Sequence, residues 1–185
     1  MIQLIMRTTH AILSRWRNIV FRIKGVRLLG YCNLGAISIP RNRRCVTLAR
    51  HCALDDRVTL LSSTDEQGLR GEILIGERTY INRNVMIDAS QKVVVGDDCA
   101  IGPNCYITDH DHGFDFISPP LQLPLVSKPT VIGNNVWIGA NTVVLKGTTI
   151  GDNAVIGAGS VVTRDIPPAV IAFGNPARIA NKPST

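Results

Sequence analysis

From Ile132 to Val162 the chain reads IGNNVW, IGANTV, VLKGTT, IGDNAV, IGAGSV and then V, a period of six. Each unit opens on an aliphatic residue: Ile132, Ile138, Val144, Ile150, Ile156 and Val162. Glycine follows four of them, at Gly133, Gly139, Gly151 and Gly157. The residue four places after each of the first five is Val136, Thr142, Thr148, Ala154 or Ser160, always small or β-branched. A helix repeats every 3.6 residues and a half-buried strand every two, so this pattern is neither. It fits a solenoid in which each unit makes one short strand and one bend, three units close a triangular turn, and turns stack at the ~4.8 Å spacing of neighbouring strands. The aliphatic residue points into the prism, the small residue fills the space beside it, and glycine serves the tight backbone at the corner.

Working outward, the pattern recurs in shifted frames at Leu48, Leu54 and Leu60, at Ile75, Ile81, Ile87 and Val93, and at Val95, Ile101 and Ile107. Cys52, Val58, Thr79, Val85, Cys99 and Cys105 hold the small positions, so these three cysteines read as core fillers. About sixteen units make roughly five coils. The aromatic content of 5% within a 45% hydrophobic chain suits such a thin aliphatic interior. Five cysteines, an odd number without a CxxC pair, argue against a secreted disulfide framework and a structural zinc, and for a reducing, cytoplasmic compartment.

The chain divides into a basic lead-in over 1–47, the repeat over 48–166 and a tail over 167–185. Residues 1–50 carry ten Lys or Arg and no Asp or Glu; the rest carry ten basic and fourteen acidic residues, so the net +6 is the sum of +10 and −4. Such a block suits an anionic partner, either an inner-leaflet membrane surface or a phosphorylated ligand. No nucleic-acid motif is present, and the aromatics do not interleave with the basic residues as a base-stacking surface needs. Ile5, Ile12, Leu13, Trp16, Ile19, Val20 and Ile23 alternate with Arg7, Arg15, Arg17, Arg22 and Lys24. These charges interrupt both the ~20 apolar residues of a membrane span and the apolar stretch of a cleaved signal. An amphipathic helix remains, expected to pack on the body or a neighbouring subunit, with peripheral membrane contact as the other reading.

Frame slips mark projecting loops. One, Ser62 to Gly71, reads as a surface connection. The larger suspends the repeat from Ile107 to Ile132 and predicts a loop over about 109–129. His110 and His112 sit where the coil opens into it, and strand alternation directs them to one side. An imidazole with its ordinary pKa of ~6.5 can take a proton from a hydroxyl near neutrality. Three readings stand: a catalytic base, a hydrogen-bonded structural histidine, or a zinc site completed by His51, which belongs to a distant early coil. Asp109 and Asp111 either orient an imidazole or cap the turn.

The aliphatic-Gly unit resembles the hexapeptide repeat of the left-handed parallel β-helix acyltransferases. The handedness is implied by that resemblance alone, since parallel crossovers are ordinarily right-handed. The implied fold is an all-β solenoid, a left-handed parallel β-helix of about five coils with an N-terminal amphipathic helical segment and a projecting loop. Gly96-Asp97-Asp98-Cys99-Ala100-Ile101-Gly102-Pro103-Asn104 continuing to His112, Asn135-Val136-Trp137-Ile138-Gly139, Gly151-Asp152-Asn153 through Arg164-Asp165-Ile166-Pro167-Pro168, and Gly174-Asn175-Pro176-Ala177-Arg178 resemble the galactoside and maltose O-acetyltransferases and their relatives in polysaccharide modification.

That resemblance implies acetyl-CoA as donor in a groove between subunits of a homotrimer; no metal is expected, because coils separate His51 from His110 and His112. His112 would be the general base. The Ala140 N–H would hold the oxyanion beside Trp137; Ala158, Thr163 and Arg164 would contact the pantetheine arm and nucleotide, and Arg178 a phosphate. Asn82 matches an acceptor-binding asparagine and Asp88 is the nearest candidate for its acidic partner, with Asp109, His110 and Trp137 also at the acceptor. The expected acceptor is a sugar hydroxyl in a polysaccharide or lipopolysaccharide precursor; a lipid-linked saccharide at the inner membrane face fits the basic lead-in. The alternatives are an antibiotic or free sugar acceptor, a zinc hydratase, and a nonenzymatic solenoid.

Overall fold

The computed structural model describes residues 2–64 and 68–180. The side chains of Ile5 and Arg7, residues 65–67 of the Ser62–Gly71 connection, and the tail beyond residue 180 lie outside that description.

Three sheets of short strands form the body. The first sheet runs Arg27–Leu28, Val46–Leu48, Glu72–Ile75, Lys92–Val95, Thr130–Ile132 and Thr149–Ile150, all parallel. The second runs Asn33–Leu34, Ala53–Leu54, Tyr80–Ile81, Ala100–Ile101, Trp137–Ile138, Val155–Ile156 and Ile171–Phe173, and ends on an antiparallel strand, Arg178–Ile179. The third stacks Thr59–Ser62, Met86–Ala89, Tyr106–Thr108, Val143–Val144 and Val161–Val162. The six residues that head the hexads visit the three sheets in strict rotation: Ile132, Ile138 and Val144, then Ile150, Ile156 and Val162. All six are at most 1% exposed, and the small positions from Cys52 to Ser160 are buried beside them. The hydroxyls of Thr142, Thr148 and Ser160 donate to the carbonyl three residues back, which lets a polar atom occupy this core.

The corners differ from the sequence expectation in one respect. Left-handed φ falls on the residue just before each small position, not on the glycine after the aliphatic one: Asn135 at 52°, Asn141 at 58° and Asn153 at 62°. Asparagine tolerates that region better than most side chains. The stacked asparagines also bond to one another, Asn84 to Asn104 at 2.9 Å and Asn104 to Asn141 at 3.1 Å. The glycine is required by close stacking instead. A Cβ on Gly139 would lie 2.5 Å from the Ala158 nitrogen of the next turn.

The ladders begin at Arg27, ahead of the regular hexads at Leu48. Leu28, Leu34 and Cys32 already hold hexad places, but the excursion through Ile39 and Cys45 breaks the frame before Val46. Helix α1, Ile2–Ile23, lies against the open edge of Asn33–Leu34. Its polar face makes the contact. Ser14 Oγ donates to the Cys32 carbonyl and accepts from the Leu34 N–H, Asn18 donates to the Cys32 carbonyl and accepts from its N–H, and Arg17 donates to the Leu34 carbonyl. Three side chains thus replace a missing strand. The apolar stripe faces away from this chain's body, which leaves a neighbouring subunit or a membrane of the expected partners: Ile12 is 63%, Trp16 63% and Ile23 80% exposed.

Candidate active site

The third-to-first corner opens after Tyr106–Thr108 into an antiparallel hairpin, His110–His112 against Leu125–Ser127, so the expected loop is a structured arm. Its base is fixed by Asp109, which is fully buried. One carboxylate oxygen accepts the Ser90 N–H at 2.8 Å; the other accepts the Gln91 N–H at 2.7 Å and the Lys92 N–H. The first oxygen also meets His110 Nδ1 at 2.9 Å. Asp109 thus clamps the turn of the preceding coil and orients an imidazole. That imidazole is His110. Its Nε2 faces Asp88 Oδ2 at 3.9 Å, and its side chain is only 13% exposed.

The electrostatics follow from this packing. The Asp109 hydrogen bond, aided by the charge of Asp88, raises the His110 pKa against its partial burial. Burial pushes the Asp109 carboxyl up, but His110 and the three backbone N–H donors outweigh it and leave the pKa below the usual carboxylate value. Burial dominates at Asp88 and raises it. The raised pKa favours the protonated form of His110, whose ring lies between the carboxyl groups of Asp109 and Asp88.

His112 is the contrast. It pairs across the hairpin with Leu125, is exposed, and its ring bonds to no described residue. Asp111 does not orient it, because Asp111 pairs with Lys146. Leu125 and Ser127, the cross-strand partners of His112 and His110, line a cavity of about 440 Å³ with Arg70, Glu72, Ser90 and Gln91, and neither histidine lines it. Ser90 Oγ is buried there without a hydrogen-bond partner among the described residues. Ser90 and Lys146 escaped the sequence reading because both sit in ordinary hexads; only the arm folding back gives them a role.

The other predicted residues separate onto two corners. Asn82, Ala140 and Ala158 lie on the second-to-third edge, where Gly102 stacks under Ala140 and Gly139 under Ala158. The Ala140 N–H donates to no described residue, unlike its neighbours Gly139 and Asn141. Trp137 stands on the outer face of the second sheet, 59% exposed, in a column with Tyr80 and Ile171. Asp88, Thr163 and Arg164 lie with the arm on the third-to-first edge, and the tail brings Arg178 to a cleft shared with Arg164 and Asp165. A single chain therefore does not bring Ala140 and His112 to one corner. Among the described residues no three of His, Cys, Asp or Glu gather as a metal site, and His51 lies on the first-to-second corner while His110 and His112 lie on the arm.

Comparison with known proteins places this prism. Residues 129–164 match the bacterial transferase hexapeptide model of six repeats, and residues 92–113 the hexapeptide repeat of succinyl-transferase. The chain is 48% identical over 107 residues to nodulation protein L of Rhizobium meliloti, which is 58% of each chain. It is 39% identical over 121 residues to the putative lipopolysaccharide biosynthesis O-acetyl transferase WbbJ of Escherichia coli, covering 61% of this chain and 62% of that one. Its matches thus span about three fifths of these curated relatives. A solved galactoside acetyltransferase in complex with coenzyme A superposes with a TM-score of 0.65 at 34% identity, over 78% of this chain and 72% of that one. The chain belongs to the hexapeptide-repeat acetyltransferase family, and with that family comes the left-handed sense of the coil.

Proposed function

We propose that the protein is an acetyl-CoA-dependent O-acetyltransferase acting on a sugar hydroxyl, by direct transfer, in polysaccharide or lipopolysaccharide biosynthesis. The observation that carries this reading is the exposed His112 ring, bonded to no described residue, on a hairpin whose base is fixed by Asp109. The names of the relatives support it: one solved neighbour is a complex with coenzyme A, and one curated relative is named a putative lipopolysaccharide biosynthesis O-acetyl transferase. In this mechanism His112 takes the proton of the acceptor hydroxyl as its oxygen attacks the thioester carbonyl. The tetrahedral oxyanion accepts from the Ala140 N–H. Collapse forms the ester, and the sulfur leaves with the proton from His112, so no acyl-enzyme forms. Ala158, Thr163, Arg164 and Arg178 hold the donor; Asn82, Asp88, His110 and Trp137 border the acceptor.

Labelled acetyl-CoA offered with nucleotide sugars, lipid-linked oligosaccharides and free sugars tests the assignment. Alkali-labile label on a saccharide is the expected result, and no transfer to any saccharide rejects it. Transfer only to free sugars would narrow the acceptor to small molecules.

The separation of Ala140 from His112 on two edges supports a site built between chains, as a homotrimer. The arm tip also exposes Phe114, Phe116, Ile117 and Leu121, an apolar surface that a neighbour would cover. Light scattering is expected to give a three-chain mass, and a fully active monomer would contradict the shared site.

A further inference from the structure

Helix α1 turns its apolar stripe away from the protein, and the charges around that stripe indicate what it meets. Ile12, Trp16, Ile19 and Ile23 recur at intervals of four, three and four residues, and form one exposed line down the helix. Leu13, 49% exposed, widens it on one side. Arg15 and Arg22 border it on the other, with Lys24 and Arg27 exposed just beyond the helix end. The opposite face is occupied, because Ser14 and Asn18 are buried against Cys32 and Leu34 and hold the helix in this orientation. No acidic residue occurs before Asp55.

We propose that this face docks on an anionic lipid surface, with the apolar line in the headgroup region and the flanking arginines and lysine on lipid phosphates. Charge decides between lipid and a second copy. Pairing two such helices face to face would bring two purely basic margins together with no acidic residue to neutralise them, whereas an anionic bilayer neutralises one margin and buries the stripe. Trp16 suits this depth, since an indole places an apolar ring and an N–H donor at the same boundary. No described helix is long and apolar enough to cross a membrane, so the contact is peripheral.

The test is flotation of the full chain with vesicles of phosphatidylcholine alone and of phosphatidylcholine mixed with phosphatidylglycerol, at low and high salt. Binding to the anionic vesicles, weakened by salt, is expected. Trp16→Ser with Ile19→Ser should weaken it at least about tenfold, as should Arg15→Glu, which reverses one marginal charge. All three side chains are exposed, so thermal stability and oligomeric mass should not change. Absence of binding to anionic vesicles, or equal binding to neutral ones, overturns the proposal. So does a drop in oligomeric mass in the Trp16/Ile19 variant, which would make the stripe a contact between copies.

Discussion

Replacing His112 with alanine is expected to reduce acetyl transfer about a thousandfold, roughly 4 kcal/mol of transition-state stabilisation, while acetyl-CoA affinity stays within about twofold. The separation follows from location. The donor residues proposed on the corners belong to the stacked turns, whereas His112 stands out on the arm, exposed and bonded to no described residue. Removing its ring therefore leaves no buried group unsatisfied, and the variant should melt within about a degree of the parent. Turnover and donor binding are measured separately, by steady-state transfer and by calorimetric titration with coenzyme A. Unchanged turnover rejects His112 as the base. A His110→Ala variant separates the neighbouring imidazole: it should lose stability first, because His110 bonds to the buried Asp109.

Asp109→Ala is expected to be the most destabilising single change at the site, by about 3 kcal/mol or more. The substitution leaves the N–H groups of Ser90, Gln91 and Lys92 without their acceptor and leaves His110 beside Asp88 alone. Denaturant titration at matched protein concentration reads the loss. Its pH dependence has a definite sign. The lowered Asp109 pKa contributes stability above the ordinary carboxylate value of ~3.9 and loses it as pH falls through the lowered value. The raised His110 pKa contributes fully below the ordinary ~6.5 and loses it as pH rises through the raised value. The gap between parent and variant should be widest between those two ordinary values and narrow on the alkaline side. A gap that narrows at low pH but stays constant on the alkaline side would show that only the backbone clamp matters.

The aliphatic period placed the core and its rotation among three faces, because each head residue must be buried and burial tolerates few side chains. The role of the corner glycines was less legible. Spacing shows that a glycine recurs, but only the next turn shows that Gly139 is needed for clearance from Ala158 while Asn141 carries the left-handed φ. Which face of the helix meets this chain's own body was not legible. An apolar line normally faces a core, yet this core ends in a strand edge that wants donors and acceptors, and Ser14 and Asn18 answer it. At the site, the two histidines were found by their position at the frame slip. What divides them was hidden, since the Asp109 clamp joins residues nineteen positions apart, across one turn of the coil.

The hexad contains no instruction to stop. Each turn offers the same rim of amides and carbonyls to the one above, so the number of floors in this tower is decided only at its two ends. Ser14 and Asn18 close one end of the second face and the reversed strand Arg178–Ile179 closes the other. Between those lids, adding or deleting a complete storey changes the height and leaves every joint alike, which is how one short motif can serve prisms of many lengths.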